Sequence, residues 1–205
     1  MDKEKENNLI RIAGTVKGET QADHVIYGET FYRSYVSVSR LSGSEDILPL
    51  LIPERLLETM PAEGDTVEIT GQVRSYNKRG ENGSRLFVTV FARTFVTVAP
   101  EYLVPCNTVS LSGFLCKPAN YRTTPFQREI ADMLLAVNRS YHKSDYLPCI
   151  AWGRNARFAQ GIDVGSHVQV TGRLQSRIYH KSMPDGSVQE KTTYEVSCSS
   201  LELIP

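Results

Sequence analysis

The sequence repeats itself at a nearly constant spacing, and this repeat constrains the fold more than any other feature. Gly14 and Gly113 lie 99 residues apart, each in a run that alternates apolar and polar residues. The offset then becomes 101, at which residues 67–75 match residues 168–176. A constant offset with one two-residue step predicts two homologous domains. The offset of 99 also relates Arg40 to Arg139 and Leu48-Pro49 to Leu147-Pro148.

We place the two predicted domains at residues 1–100 and 101–205 of the 205-residue chain. The chain is 40% hydrophobic and 22% charged, ordinary values that favour a folded globular state over disorder. No apolar run approaches the ~18 residues of a membrane span. Residues 1–8 are charged and polar and lack the apolar core of a signal peptide, so we expect a cytoplasmic protein.

Each half is predicted to contain five strands and one short helix. The first half has its helix at residues 53–60 and a hairpin turn at Asn82-Gly83. This order is that of the OB-fold, which we favour over a five-stranded barrel of another kind. The predicted fold class is therefore all-β, with two tandem OB-fold five-stranded barrels, each with a short helix between strands 3 and 4. In the second half the strands are predicted at residues 108–117, 132–141, 145–152, 167–180 and 191–203, the helix at 154–160 and a turn at 184–186.

Charge and motif content exclude several classes of function. Lysines and arginines number 23, as do aspartates and glutamates, which argues against a histone-like nonspecific binder. Residues 1–100 carry 12 basic and 14 acidic side chains (net −2), and residues 101–205 carry 11 and 9 (net +2). Because no P-loop, Rossmann glycine fingerprint, H-E-x-x-H motif or nucleophile elbow occurs, we predict no enzyme activity and no cofactor.

The cysteines and histidines give no sign of a metal site. The 4 cysteines form no C-x-x-C pair and the 4 histidines show no ligand spacing, so we predict no bound metal and reduced thiols. Cys149 and Cys198 lie in strand-like runs, where we favour the interpretation of a small buried residue.

Strand alternation predicts a polar and aromatic outer face in the second half. In the fourth predicted strand the apolar residues share one face, and polar, basic and aromatic residues share the other. Exposed rings with nearby arginines are what single-stranded nucleic acid requires, because bases stack on rings and guanidinium groups hold the backbone. The alternative, that the rings belong to the core, stays open at this point. The candidate stacking residues are Tyr141, Tyr146, Trp152 and Tyr179, and the candidate phosphate contacts are Arg122, Arg139, Arg173, Arg177 and Lys181.

Several segments of the second half carry a resemblance to a known family. They are Asn107 to Leu115, Leu135 to Arg139, Tyr146 to Gly153 and Gly165 to Tyr179. Over nearly all of residues 106–203, the sequence resembles the bacterial single-stranded DNA-binding protein family. The resemblance implies an OB-fold in which the four candidate aromatic positions stack on bases. A primosomal accessory protein used in replication restart has a similar fold and is a near relative.

The resemblance also bears on assembly and partners. The family usually carries one OB domain per chain and assembles as a tetramer, and some bacterial members have a tandem form. Two domains per chain therefore imply a homodimer that presents four OB domains. The family usually ends in a flexible acidic tail that recruits repair and replication proteins. Here the sequence stops directly after the last predicted strand, so we expect no acidic C-terminal recruiting tail.

The first half lacks the candidate stacking set. At the repeat offsets, the four aromatic positions fall on Ser42, Ile47, Pro53 and Lys78. We therefore expect a division of labour, in which the second domain binds the strand and the first is mainly structural or assembles the oligomer. The alternative is that the first domain binds through the basic turn Lys78-Arg79 and its other aromatics, which are Phe31, Tyr32, Tyr35 and Tyr76.

These expectations leave more than one function open. The leading hypothesis is a sequence-tolerant single-stranded DNA-binding protein acting in DNA replication, recombination or repair. The alternative is an OB-fold protein-interaction module of a replication or restart complex, with weak DNA binding. RNA binding by the same surface also stays open, because nothing in the sequence reads a 2′-hydroxyl. Fold alone decides among none of these hypotheses.

Overall fold

The structure is a computed structural model that describes residues 6–80, 83–182 and 187–205, with only the backbone described at 79, 80, 83, 84, 181 and 182. The strands of the first half are β1 (Asn8–Val16), β2 (Gln21–Ile26), β3 (Glu29–Ser39), β4 (Glu45–Pro53), β5 (Thr66–Gly80) and β6 (Gly83–Thr97). The second half contains β7 (Cys106–Leu115), β8 (Asn120–Thr123), β9 (Glu129–Arg139), β10 (Lys143–Trp152), the helix α1 (Arg154–Gln160), β11 (His167–Ser182) and β12 (Val188–Leu203).

The strands form one sheet whose order is β2-β3-β4-β6-β5-β1-β7-β11-β12-β10-β9-β8. Additional pairings of β1 with β3 and of β7 with β9 close each half into a barrel. Around the first barrel the circuit is β1-β3-β4-β6-β5, with β4 and β6 parallel, and the second barrel repeats it. This five-stranded circuit is that of the OB-fold. The chain is therefore an all-β protein built from two tandem OB-fold barrels.

The short strands β2 and β8 are additional to the five strands predicted in each half. Each forms a hairpin with the following strand at an edge of the sheet. None of their residues is buried. A strand without a buried face shows no apolar alternation, so the pattern that predicts the barrel strands is missing. Of the predicted turns, residues 184–186 and Asn82 lie outside the described residues.

The helix predicted at residues 53–60 is wrong. Only Glu54–Leu56 form a single 3-10 turn, and the residue that follows already has an extended backbone (φ −99°, ψ 113°). Pro61 biases the residue before it away from helical geometry, and the few residues left are too short a segment to stay helical without a packed face. In the second half, α1 has such a face because it buries Ala156 and Ala159 against the barrel.

Each barrel closes where the backbone of its first strand passes very close to a neighbouring strand. A Cβ atom at Gly14 would lie 2.2 Å from the carbonyl oxygen of Ser37. At Gly113 it would lie 2.6 Å from the carbonyl oxygen of Ala136. Both distances are shorter than any real contact of a side chain, so only glycine fits. The repeated glycine therefore marks the closure of each barrel.

The two barrels are joined through their first strands. β1 and β7 pair antiparallel, which makes the sheet continuous across the two halves. Ile10 lies opposite Val109, its own repeat equivalent. A residue that faces its equivalent is the register expected of an approximate two-fold axis between the halves. Both side chains are buried, so the junction extends the hydrophobic core from one barrel to the other.

A buried aspartate of the second barrel fastens it to the first. Asp145 accepts a hydrogen bond from the backbone N–H of Ser75 in β5 at 2.7 Å. Its carboxylate also pairs with Arg74 at 3.2 Å and with Arg139 at 3.6 Å. Burial raises the pKa of Asp145, and the Ser75 N–H and the two guanidinium groups oppose that change. These contacts form the first of two interdomain locks.

Asp46 makes the reciprocal lock from β4. It is the repeat equivalent of Asp145, is also buried, and accepts a hydrogen bond from the backbone N–H of Ser176 in β11 at 2.8 Å. Arg40 donates from Nε to the Asp46 carboxylate at 2.7 Å and from its terminal nitrogen to the Ser176 carbonyl at 3.1 Å. Because Ser176 is the repeat equivalent of Ser75, the two locks obey the same approximate two-fold relation as β1 and β7.

Candidate nucleic-acid interface

The outer face of β10 carries two exposed aromatic rings. Tyr146 and Trp152 are 45% and 38% exposed, while Leu147 and Ala151 on the opposite face are fully buried. The Trp152 Nε1–H donates to the hydroxyl of Ser197 at 3.1 Å, which ties the ring to the neighbouring strand β12. Neither ring belongs to the core. Both present apolar surface to solvent from a rigid strand, as base stacking requires.

Tyr141 lies in the turn that precedes this strand. Its side chain is almost fully exposed. Tyr141 and His142 both have positive φ angles, of 62° and 54°. Two consecutive residues with positive φ are the arrangement of a type I′ turn, which usually takes glycine or asparagine. The turn therefore projects the Tyr141 ring away from the barrel, at the start of the strand that carries Tyr146.

Tyr179 lies elsewhere. It is 38% exposed, near the end of the β11–β12 hairpin, and it lines a groove between the two barrels. The structure thus brings Tyr146 and Trp152 together on one strand, with Tyr141 at the turn before it. Strand alternation predicted the exposure of Tyr179 but could not place its hairpin beside the other barrel.

Two of the candidate phosphate contacts are exposed and paired with carboxylates. Arg122 pairs with Asp132 at 2.9 Å, and Arg177 lies 3.4 Å from Glu195. The arginine side chains are 47% and 53% exposed. Both guanidinium groups can therefore reach a ligand from the surface, although part of their charge is neutralised locally.

The remaining candidates are less available. Arg139 belongs to the Asp145 lock described above. Arg173 donates to the side-chain oxygen of Gln175 at 3.2 Å, and its Nε is buried without a hydrogen-bond partner among the described atoms. The side chain of Lys181 lies outside the described residues. Sequence reasoning identified cationic positions but could not detect the carboxylates that long-range pairing places beside them.

The groove between the barrels, here called the interdomain groove, has a volume of ≈ 1270 Å³. Residues of β3, β4, β5 and β6 form one wall, and the end of the β11–β12 hairpin forms the other. Its aromatic side chains are Tyr35, Tyr76, Phe87, Phe91, Tyr179 and Tyr194. Its charged side chains are Lys17, Arg33, Arg74, Arg85 and Arg139 against Asp23 and Glu45, five cations and two carboxylates.

The groove contains an ordered aromatic pair. Tyr76 and Phe87 stack with ring centroids 5.3 Å apart and planes 9° from parallel. The Arg85 guanidinium lies 5.1 Å from the Phe87 ring and donates to the Thr192 carbonyl of the second half at 3.1 Å. Burial raises the pKa of Tyr194 to about 12, so this ring stays neutral at ordinary pH. The groove is thus apolar in its rings and cationic in its charged groups.

The first half's other aromatics divide into two groups. Phe31 is buried, and the Tyr32 hydroxyl donates to a glutamate at 3.5 Å. Tyr35 and Tyr76 are 37% and 54% exposed and face the interdomain groove. Phe87 belongs with them and was missed in the sequence, because its position is aromatic in only one of the two repeats.

A second pair of aromatics missed in the sequence lies at hairpin ends. Tyr27, between β2 and β3, and Phe126, between β8 and β9, are 105% and 86% exposed. They are repeat equivalents at the offset of 99. The offset could have found them, had the turns been compared along with the strands.

Within the described ranges, no group of three or more His, Cys, Asp or Glu side chains is placed to hold a metal ion. Cys149 and Cys198 are buried, which confirms the interpretation of small core residues. Across the same ranges, no helix combines the length and apolar character needed to cross a membrane.

Known proteins similar to this chain bind single-stranded DNA according to their names. The Single-strand binding protein family matches residues 106–204. The Single-stranded DNA-binding protein of Streptococcus pyogenes serotype M1 is 36% identical over 80 residues, 36% of this chain and 49% of the relative. Single-stranded DNA-binding protein 1 of Staphylococcus aureus (strain COL) is 34% identical over 105 residues, 48% of this chain and 60% of the relative. The chain spans about half the length of the curated relatives it matches.

The likeness to solved structures extends over both halves. The wild-type single-stranded DNA binding protein from Thermus aquaticus superposes with a TM-score of 0.75 at 20% identity, covering 97% of this chain and 93% of that chain. At this identity the likeness shows the fold, a tandem pair of OB barrels. The circuit of strands places the chain in the class of OB-fold proteins. The match to the Single-strand binding protein family covers its second half, residues 106–204.

Proposed function

We propose that the chain binds single-stranded DNA without strong sequence preference and acts in DNA replication, recombination or repair. The observation that carries the proposal is the pair of exposed rings, Tyr146 and Trp152, on the outer face of β10, in the half that matches the Single-strand binding protein family. Every base has a flat face that can stack on such rings, so this contact tolerates any sequence.

The phosphate contacts follow from exposure and pairing. We assign Arg122 and Arg177 to the backbone of the strand because about half of each side chain is exposed. Lys181 is retained from the sequence. Arg139 and Arg173 are assigned to the protein's own structure instead, because their guanidinium groups are partly buried and contact other side chains. Tyr141, exposed on the turn, completes the proposed face.

A titration with oligo-dT tests the proposal. Trp152 is the single tryptophan, so its fluorescence reports on this face alone. We expect emission to fall as oligo-dT is added, and duplex DNA of the same length to compete weakly. Oligo-U in a parallel titration compares RNA with DNA. Binding with unchanged emission would remove Trp152 from the contact surface, and no binding would overturn the proposal.

One observation favours the alternative function of a protein-interaction module in a replication or restart complex. The rings of Tyr27 and Phe126 at two hairpin ends are fully or almost fully exposed, and aromatic side chains are enriched in protein–protein interfaces. A Tyr27→Ser/Phe126→Ser variant separates the two functions. Unchanged oligo-dT affinity leaves these rings available for a protein partner, whereas reduced affinity assigns them to DNA.

We further propose that the chain acts by binding rather than catalysis, in the cytoplasm, as a homodimer that presents four OB barrels. The domain boundaries that we propose are 1–100 and 101–205. The β1–β7 junction supports the proposed assembly of barrels, because it already joins two barrels about an approximate two-fold axis within one chain. Sedimentation equilibrium should give twice the chain mass, and a single-chain mass would contradict the dimer.

A further inference from the structure

We propose that the interdomain groove binds a second segment of the single strand, so that the first half is a binding domain as well. The inference rests on the proposed function. The proposed site uses other aromatic residues, because the first half has none at the positions equivalent to the four candidate stacking residues. The inference also replaces the division of labour expected from the sequence, in which the first half is mainly structural.

The rings of the groove are arranged to receive a base. Tyr76 and Phe87 already stack on each other with nearly parallel planes, and Tyr76 remains 54% exposed. A ring that stacks on one side against protein and is open on the other adds one more layer when a base arrives. Tyr35, on β3, is 37% exposed along the same wall.

The charge of the groove suits a polyanion. The cations and carboxylates that line it give 5 − 2 = +3, and counting Asp145, which pairs with Arg74 and Arg139, leaves +2. In the described part of the chain, Arg85 contacts a carbonyl and a ring rather than a carboxylate, so its charge is not neutralised locally. An arginine held over a ring beside a stacking platform can contact the phosphate of the base that stacks there.

The groove is continuous with the second half. Ile178 and Tyr179, near the end of the β11–β12 hairpin, form the wall opposite β4 and are 58% and 38% exposed. A strand bound on the second half can therefore enter the groove without leaving protein surface. This accounts for the place of Tyr179, which lies apart from Tyr146 and Trp152.

A single strand fits this site better than other occupants. The groove volume of ≈ 1270 Å³ exceeds the ~300–1,000 Å³ of sites for one small molecule. A duplex hides its base faces inside the stack, so it could not use the open Tyr76 ring. A peptide of apolar side chains would offer no anion to Arg85, which has no carboxylate partner among the described residues. A single strand offers bases to the rings and phosphates to the cations.

Affinity for oligo-dT tests the inference. Loss of one base–aromatic stack weakens binding about five-fold to over a hundred-fold. We therefore expect the loss of oligo-dT affinity in Tyr76→Ala to lie in that range. Tyr76→Phe keeps the ring and should bind within about two-fold of the unsubstituted chain, which guards against an effect of misfolding. Tyr102→Ala is the matched control, because Tyr102 is also exposed but does not line the groove.

A fluorescent reporter in the groove gives the second measurement. In the double variant Trp152→Phe/Tyr76→Trp the single tryptophan lies in the groove, and oligo-dT should quench it. In Trp152→Phe/Tyr102→Trp it should not. If oligo-dT binds the unsubstituted chain and quenches Trp152, but Tyr76→Ala binds normally and the groove reporter stays silent, the inference is overturned and the proposed function stands. If oligo-dT binds no form of the chain, the proposed function itself fails.

Discussion

The two halves agree in their interiors and differ on their outer faces. Asn8 donates to the Val73 carbonyl at 2.7 Å and accepts from the Val73 N–H at 2.9 Å. Its repeat equivalent, Asn107, makes the same two bonds with Leu174 at 2.7 and 3.0 Å. The closure glycines and the two locks are also paired across the repeat. The repeated residues are therefore those that build each barrel and join it to the other.

The outer faces show no such agreement. Tyr146 and Trp152 face solvent in the second half, where the first half has Ile47 and Pro53. Conversely, the first half carries Phe87 in the groove, at a position that is not aromatic in the second. One scaffold can therefore hold two differently placed aromatic surfaces, because the barrel interior and the junction do not depend on the outward side chains.

The largest expected effect concerns the locks. Asp145→Ala and Asp46→Ala should each lower the free energy of unfolding by up to about 3–5 kcal/mol, because each leaves partly buried guanidinium groups and a backbone N–H without a partner. Denaturant titration measures both. Similar losses would confirm that the two locks are equivalent, and a much smaller loss for one would show that the two-fold relation does not extend to energetics.

An exposed aspartate provides the control for the locks. Asp132 pairs with Arg122, and both side chains are more than one third exposed. Surface pairs of this kind contribute about 0–1 kcal/mol, so Asp132→Ala should cost little. A loss comparable to that of Asp145→Ala would mean that burial does not explain the lock.

The next largest expected effect is the loss of DNA affinity when the ring of Tyr146 is removed, compared with a change at its repeat equivalent, Ile47. Tyr146→Ala should weaken oligo-dT binding about five-fold to over a hundred-fold, since a base–aromatic stack contributes ~1–3 kcal/mol. Ile47→Ala changes the repeat-equivalent position, which lines the interdomain groove and whose side chain is exposed to a similar degree but is not flat. It should change affinity by less than about three-fold, given only apolar contact to lose. Equal losses would show that apolar area, not stacking, drives binding.

Much of this architecture can be predicted from the sequence. The barrel strands follow from apolar alternation, and the helix predicted at residues 154–160 coincides with α1 (Arg154–Gln160). The 99- and 101-residue offsets fix the tandem arrangement. The helix at residues 53–60 fails because local propensity does not reveal whether a segment has a face to pack, and β2 and β8 fail because exposed strands leave no alternation.

The candidate site is predictable only in part. The exposure of Tyr146, Trp152 and Tyr179 follows from alternation along single strands. Which barrel a hairpin end faces depends on the β1–β7 junction, and no local pattern encodes that packing. The role of Arg139 is also not encoded locally. Its carboxylate partner, Asp145, lies across a turn, and the N–H that completes the lock belongs to Ser75 of the other half.

Salt dependence separates the exposed arginines from those in the locks. The three phosphate contacts proposed above correspond to a log–log slope of about −2.1 at roughly 0.7 per contact, whereas the five candidates from the sequence would give about −3.5. Arg177→Gln should reduce the magnitude of the slope by about 0.7, which is a few-fold in affinity at low salt. Arg139→Gln should leave the slope unchanged, because that side chain is 31% exposed against 53% for Arg177, and its guanidinium is needed by the fully buried Asp145. Oligo-dT affinities over a salt series measure both, and equal changes would assign Arg139 to the strand.

The smallest expected effect concerns how each barrel holds its connection between the third and fourth barrel strands. In the first half, Arg55 of the 3-10 turn donates to Glu29 at 2.5 Å. In the second half, Arg157 of α1 donates from Nε to Glu129 at 2.8 Å, and the Tyr121 hydroxyl donates to the same carboxylate at 2.5 Å. The Arg157 and Tyr121 hydrogen bonds lower the pKa of Glu129 to about 2.

Acid therefore removes a contribution that belongs to the second half. A carboxyl whose pKa is lower in the folded chain than in the unfolded one stabilises the fold above the unfolded pKa, and this stabilisation is lost as pH falls toward the folded pKa. As pH falls from 4.5 to about 2, the stability of the unsubstituted chain should fall. In Glu129→Gln, stability should depend less on pH over this range. Thermal unfolding over this pH range measures it, with Glu29→Gln as the matched variant in the first half. A slope as steep in Glu129→Gln as in the unsubstituted chain would show that the Arg157–Glu129 pair does not hold α1 to its barrel.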